Sequence, residues 1–395
     1  MIPSCAINDP TPYAPGWLGR YCAVMGQDVA PWSFHLLASM LTMSSVIGRR
    51  AALVRPAGVL WPPTSILLLG PSGTGKSLAL LKAVRVAQAA MADVEAFYVG
   101  TGGFTVAGAR AEWQRRQRRA HAEVLEGLHV EDEIATIVKE RTGTETMTTW
   151  LIRCLAHTDL TELLRGEGRI VIPGFTIAFG FGSTIAYLRR SISIDEFTGG
   201  LMHRFVIAHE ATQRENVDEQ TPTDAQVAQL AAELRRIRDD APATIHVSGD
   251  VEKRLLMLRT QARRRSFDSI HLTGYWNRYG MLVLKIASLY VMADGSYDIT
   301  TEHVDTAVSL LDSKLYPVLE SCIDEIAAPR EKKRMLEVAD SLAAAGPEGW
   351  SMEMLYKKMD ATNPRAQVDA MQGMLATGLL WQKGQRVYGR KEWAL

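Results

Sequence analysis

No apolar run in the 395 residues approaches the roughly 20 that a membrane-spanning helix requires, so no membrane partner is expected. The opening Met1-Ile2-Pro3-Ser4 has neither a basic n-region nor an apolar h-region, so secretion is not expected either. Cysteine is scarce: four residues, at 5, 22, 154 and 322, with no C-x-x-C pair and no metal-ligand spacing. This argues against a disulfide framework and a zinc module, and suits free thiols in a reducing cytoplasm. Net charge is absent as well, with 44 basic and 44 acidic side chains. That argues against a protein that coats DNA by bulk electrostatics, but not against a local basic pore or patch. The basic runs Arg115-Arg116-Gln117-Arg118-Arg119 and Arg263-Arg264-Arg265 show that charge is unevenly spread. The length allows two to four domains, each with its own core.

What is present is a phosphate-binding signature. Gly70-Pro71-Ser72-Gly73-Thr74-Gly75-Lys76-Ser77 fits G-x-x-x-x-G-K-[ST]. The apolar run Ser65–Leu69 before it reads as a buried parallel strand, and Leu78–Ala90 after it has helical periodicity. Glycines at 70, 73 and 75 let the backbone curl so that N–H groups point at phosphate oxygens, and the helix N-terminus adds its dipole. Lys76 is placed for the β- and γ-phosphates of ATP, and the Ser77 hydroxyl for Mg²⁺.

Upstream, a proline- and aromatic-rich arm (Pro10, Pro12, Tyr13, Pro15, Trp17) leads to a helix over Trp32–Ile47, together read as an N-terminal helical collar. Downstream, Ala96–Gly100 is a short strand, followed by a helix bearing the Arg115–Arg119 run. Leu128-His129-Val130-Glu131-Asp132-Glu133 places an acidic pair at a strand's end. Asp132 suits Mg²⁺ and Glu133 suits orienting and deprotonating water, although His129 and Glu131 interrupt the apolar strand. The alternative is a dipole-favoured pair at a helix start. Residues 134–163 read as helical with an interruption at 139–144.

Leu164–Pro173 reads as a hairpin whose tip carries Arg165 and Arg169, and Phe175–Gly180 as a buried strand ending at Gly182-Ser183-Thr184. Ser183 is a candidate γ-phosphate sensor; a helix N-cap before Ile185–Arg189 is the alternative. Arg204 stands alone in an apolar segment, which requires a carboxylate or a phosphate: a finger reaching the ATP of a neighbouring subunit, or an intrachain salt bridge. Residues 213–223 are polar and read as a linker. Helices follow over Asp224–Arg238, Asp250–Arg265, Gly274–Met292 and Thr301–Glu320. Of the cations on the third, Arg278 is favoured over Lys285 to bend onto the nucleotide.

From Pro329 the pattern changes to three helices (Glu331–Ala345, Ser351–Met359, Asn363–Thr377) and a hairpin turning at Lys383-Gly384-Gln385. This is a winged-helix pattern. Arg365 and Gln367, with Asp369, lie on its recognition helix, and Lys383, Arg386, Arg390 and Lys391 on its wing; it suits DNA or protein equally.

Taken together, Gly70–Ser77, Asp132-Glu133, the Arg165–Arg169 hairpin and Gly200–Phe205 resemble AAA+ ATPases of the phage- and plasmid-encoded helicase type, including the motor half of primase-helicases. The strand between the phosphate loop and the acidic pair marks the P-loop branch that includes AAA+ and RecA-like motors. Gly200–Phe205 also looks like the arginine-finger segment of minichromosome-maintenance helicases. The resemblance covers about residues 15–320 as architecture, and only the phosphate loop is specific. It implies an α/β fold with a parallel-sheet P-loop core (AAA+/ASCE), an N-terminal helical collar, a helical lid and a C-terminal winged helix. The corresponding divisions are 1–62, 63–215, 216–325 and 329–395.

The resemblance further implies a homo-oligomeric, hexameric ring that hydrolyses ATP at subunit interfaces, grips single-stranded DNA with channel hairpins, and works in the cytoplasm of a bacterial host if phage- or plasmid-encoded. A replication partner would meet the N-terminal or winged-helix region. Two rivals stand beside the helicase: an ATP-controlled DNA-binding adaptor or loader, and an assembly ring in which ATP fixes the structure and the winged helix recruits partners. The polar residues in the acidic-pair strand and the Gly-Ser-Thr sensor depart from the usual patterns and bear on the rate of hydrolysis. No primase-type metal constellation is present in the sequence.

Overall fold

A computed structural model describes residues 2–103, 105–134, 141–142, 145–158, 160–164, 168–191, 200–215, 217–266, 272–323, 350–351, 354, 375, 380–383 and 386–388. The chain divides into two units, Met1–Ile323 and Asp324–Leu395. In the first, α1 (Gly16–Met25) and α2 (Trp32–Ile47) precede β1 (Ala52–Arg55) and β2 (Gly58–Leu60). Then come β3 (Ser65–Leu69), α3 (Lys76–Ala90), β4 (Tyr98–Thr101), α4 (Val106–Arg119) and β5 (Leu125–Glu131). A short ladder, β6 (Arg141–Thr142) with β7 (Glu145–Thr146), falls at the interruption expected at 139–144 in an otherwise helical stretch. Next are β8 (Leu160–Leu164), β9 (Gly168–Ile172), β10 (Phe175–Ser183), β11 (Phe205–His209) and β12 (Thr244–His246).

The central sheet has the order β11-β3-β10-β5-β4 and is parallel throughout. Parallel sheets are covered on both faces, which is why β3 is Ser-Ile-Leu-Leu-Leu and buried at every position. β10 is likewise buried along all nine residues. Its Phe175, Phe179 and Phe181 are fully enclosed, each worth about 2–3 kcal/mol in apolar burial.

Helix α2, expected in a collar packed on the core, packs against α3, β5 and β10, with fifteen of its sixteen residues buried. A helix this rich in hydroxyls enters a core because they bond back to the preceding turn. Ser39 Oγ donates to Leu36 O at 2.7 Å, Thr42 Oγ1 to Ala38 O at 2.8 Å and Ser45 Oγ to Thr42 O at 2.8 Å.

The β1–β2 hairpin was not expected within the helical N-terminal region. Its strands are four and three residues long, and the partner that completes the sheet is β12, paired parallel with Leu53 opposite Ile245. Such distant pairing leaves no local pattern.

The helical segment forms over Asp224–Asp240, Gly249–Arg265, Thr273–Ala293 and Thr301–Leu310. The first opens on a capping box between Thr223 and Gln226. The last passes into a π turn at Leu311–Leu315, where an unbroken α-helix was expected. No described helix is long and apolar enough to cross a membrane.

In the second unit, Trp350–Ser351, Arg386–Tyr388 and Trp381–Lys383 form a three-stranded antiparallel sheet. The hairpin turns where expected, with Lys383 opposite Arg386. Ser351 Oγ accepts the Met354 N–H at 3.2 Å, the bond of a serine N-cap. The helices expected here lie largely outside the described residues, and Arg365, Gln367, Asp369, Arg390 and Lys391 lie wholly outside them.

Candidate phosphate site

Between the end of β3 at Leu69 and the start of α3 at Lys76 the chain must turn sharply. Gly73 (φ 85°) and Gly75 (φ 89°) make the turn in the left-handed region, which side chains disfavour. Gly75 has a second reason to be glycine: a Cβ there would lie 2.5 Å from the Cβ of Ala30.

Lys76 Nζ donates to Gly70 O and Pro71 O, each at 2.8 Å, drawing the loop into a ring. Thr74 Oγ1 donates to Pro71 O at 2.9 Å. Among the described residues, the amides of Ser72, Gly73 and Gly75 meet no protein acceptor. Unpaired loop amides, an ammonium and a helix N-terminus together suit an anion such as phosphate.

The acidic pair arrives by sheet register. β10 and β5 are paired as far as Phe181 opposite Glu131, so Asp132 and Glu133 emerge beside Gly182 and Ser183. A Cβ on Gly182 would lie 2.7 Å from Asp132 O, so glycine allows this approach. On its other side β10 pairs with β3, Ser183 opposite Leu69, and the Gly70 N–H donates to Ser183 O at 3.2 Å. Ser183 Oγ donates to Glu133 Oε1. Thr184 supplies the N-cap, its Oγ1 accepting the Tyr187 N–H at 3.1 Å. The two readings of this serine-threonine pair therefore belong to different residues.

Burial pulls the Lys76 ammonium below its ordinary range, while the Glu133 and Asp132 carboxylates nearby push it back up. Burial likewise raises the Glu131 carboxyl. Ser77 and Asp132 are the residues that would hold Mg²⁺, which would neutralise phosphate charge.

His129 is polar for a structural reason. Its ring stacks on Tyr98 with centroids 6.0 Å apart, and the Tyr98 hydroxyl lies 3.0 Å from Nδ1. Burial pushes the imidazole down to about 4, so it is neutral in the core.

Arg204 lies at the opposite end of the sheet. It immediately precedes β11, whose Phe205 is opposite Ser65, which puts Arg204 level with Thr64, six residues before Gly70. Among the described residues it has no carboxylate partner; Nη1 donates to Gly200 O, and Nε is buried without an acceptor. Burial and the neighbouring Arg278 lower its guanidinium to about 10.

Arg278, the cation expected to bend onto the nucleotide, is thus beside Arg204 on the helix Thr273–Ala293. The cause is the docking of that helix: a Cβ on Gly274 would lie 2.1 Å from His203 Nδ1, and Lys285 Nζ donates to Pro63 O at 2.6 Å. Both contacts are at the amino ends of β11 and β3.

Residues distant in sequence join the site unannounced by any motif. Gln213 Nε2 donates to Gly73 O. Arg214 Nε donates to Ala30 O at 2.8 Å, and its guanidinium lies 3.9 Å over the Trp32 ring.

Of the expected DNA contacts, β8 and β9 form the antiparallel hairpin, with Leu164 opposite Gly168. Arg165 lies outside the described residues, as does the Arg169 side chain, although its backbone is in β9. Arg386 is exposed on the second unit's hairpin, where Lys383 is described in backbone only. No protein-family model and no curated protein matches the chain.

Proposed function

We propose that the chain is an ATP-hydrolysing AAA+-type motor that completes its active site from a neighbouring copy and works on single-stranded DNA. One observation carries this: Arg204 and the phosphate loop are at opposite ends of the same sheet. Six strand positions separate Arg204 from Gly70, about 20 Å, further than an arginine side chain extends. A half-buried arginine with no carboxylate among the described residues calls for an external anion, and on this reading that anion is the terminal phosphate of ATP in the next subunit. Arg278 stands with it as a second cation. A closed ring of such head-to-tail contacts satisfies every site, and the expected hexamer is one such ring.

The placement of β10 between β3 and β5, with β4 outside them, supports the additional-strand branch of P-loop ATPases. Glu133, oriented by Ser183, takes the role of base toward the attacking water. Lys76 and the loop amides bind phosphate. The β8–β9 hairpin immediately before β10 is the candidate grip on DNA, and the hairpin of the second unit supports a winged helix.

The test mixes Arg204→Ala subunits with Lys76→Ala subunits, each inactive alone. Activity should return, because a Lys76→Ala copy still lends Arg204 to an intact phosphate loop. No return would place Arg204 within its own chain's function. Stimulation of ATPase activity by single-stranded DNA, and separation of forked DNA, decide whether the motor is a helicase. Stimulation without separation points to a loader or adaptor, and no stimulation to an assembly ring.

A further inference from the structure

The segment from Arg204 to Arg214 touches two different places. At its start is the arginine assigned above to a neighbour's nucleotide. Its middle is β11, hydrogen-bonded to β3 from Phe205 opposite Ser65 to His209 opposite Leu69, with the Glu210 N–H then donating to Leu69 O at 3.0 Å. Its end reaches both left-handed corners of the chain's own phosphate loop. Gln213 holds Gly73 directly through its carbonyl. Arg214 holds the backbone that packs on Gly75: it donates to the carbonyls of Gly26, Asp28 and Ala30, and its own N–H donates to Val29 O at 2.8 Å. Ala30 is the residue whose Cβ would collide with a side chain at position 75. That turn is tied in turn to α3, where Lys82 Nζ donates to Asp28 Oδ2, and to α2, where His35 Nε2 lies 2.9 Å from Asp28 Oδ1.

From these contacts, and resting on the intersubunit reading of Arg204, we infer that Gln213 is a positioning residue that transmits occupancy of the neighbour's ATP site to this chain's own phosphate loop. A strand bonded along its length is stiff along its axis, so a pull on Arg204 arrives at residues 210–214 with little loss. Gly73 is the corner able to respond, because a Cβ built there meets nothing within 4 Å, whereas Gly75 is wedged against Ala30. The Gln213 amide therefore bears on the looser of the two corners. In two-state terms, the bond to Gly73 O biases the loop between two arrangements, and the neighbour's nucleotide shifts that bias through β11.

Gln213 is exposed, so its side chain adds little to the core, and a purely structural clip would affect nothing but local order. The experiment measures ATP hydrolysis by the assembled full-length chain against ATP concentration. The wild-type Hill coefficient should exceed 1, and Gln213→Ala should bring it to about 1 while half-saturation moves less than about 3-fold. Gln213→Asn, which shortens the reach to Gly73 O, should resemble the alanine variant. Arg214→Ala, which frees the turn beside Gly75, should lower both cooperativity and ATP affinity. A wild-type coefficient of 1, or one unchanged in Gln213→Ala, overturns the inference. The subunit-mixing test separates this from the intersubunit reading. Restored activity with an unchanged coefficient removes the inference alone. A Gln213-dependent coefficient without restoration supports a role for Gln213 but removes its link to Arg204.

Discussion

Ser183 Oγ donates a hydrogen bond to Glu133 Oε1, joining the last residue of β10 to the second residue beyond β5. The bond helps set the direction of the Glu133 carboxylate. If Glu133 is the proposed base, Ser183→Ala should lower ATP turnover on the order of 100-fold by misplacing it, with nucleotide affinity held within a few-fold because Lys76 and the loop amides are untouched. Steady-state ATPase rates beside a nucleotide-binding titration separate the two effects.

Gly75→Ala should damage the phosphate loop even though it adds one methyl group. Its backbone is left-handed, at φ 89°, and the new Cβ would meet that of Ala30. A cost of about 1–3 kcal/mol is expected for such strain. Thermal melting should show the loss, and a nucleotide titration should show weaker binding than the same change at Gly73, where the new atom meets nothing.

Arg278→Ala should reduce ATP turnover in assembled protein without weakening nucleotide binding to a dilute monomer. Mixing it with Lys76→Ala subunits should recover activity as for Arg204→Ala. Loss of nucleotide binding by the isolated monomer would count against a role toward the neighbour.

Acid should weaken the fold before the carboxylates titrate. The folded pKa of His129 lies at about 4, against 6.5 ordinarily. Between those values the unfolded chain binds a proton that the folded chain refuses. Stability is thus fully present above pH 6.5 and falls with pH down to about 4, by on the order of 3 kcal/mol from this residue. His35, His157 and His209 are also lowered, first of all by burial, and act in the same direction. Urea melts from pH 7.5 to 4.5 should show this slope, and His129→Gln should flatten it while lowering the starting stability.

Glu126 is the acceptor for Arg238 Nη2 at 2.7 Å and for the Arg49 N–H at 2.5 Å, at the end of the sheet far from the phosphate loop. Glu126→Ala leaves Arg238 largely buried without this carboxylate, at a cost of about 3 kcal/mol. Chemical denaturation checks it. Gln in its place should recover part of the loss, since an amide oxygen can still accept.

Contiguous features were legible in the sequence. The strand Ser65–Leu69 and the helix Trp32–Ile47 have the bounds expected of them, because a four-residue apolar run after serine and a helical repeat are patterns written over neighbouring residues. The turn from Leu69 to Lys76 follows from the same locality, since its glycines, lysine and serine lie within one turn of chain. Asp132-Glu133 was readable only as an acidic pair. What joins it to Ser183 is the register of β10 against β5, and parallel pairing of strands some fifty residues apart leaves no local trace.

The same reason governs where Arg278 lies. Its position on a helix could be read, but which end of the sheet that helix meets depends on Gly274 fitting over His203 and Lys285 reaching Pro63. Gln213 and Arg214 lie in a stretch whose polarity reads as a linker, and nothing in it points to a turn at residues 26–30, more than 180 residues away. Sequence alone determined the strand, the glycine-rich loop closed by Lys76 and Ser77, and the helix after it, because that pattern is local. Tertiary structure decided which carboxylate is oriented there and which arginine faces away, because both depend on how strands line up.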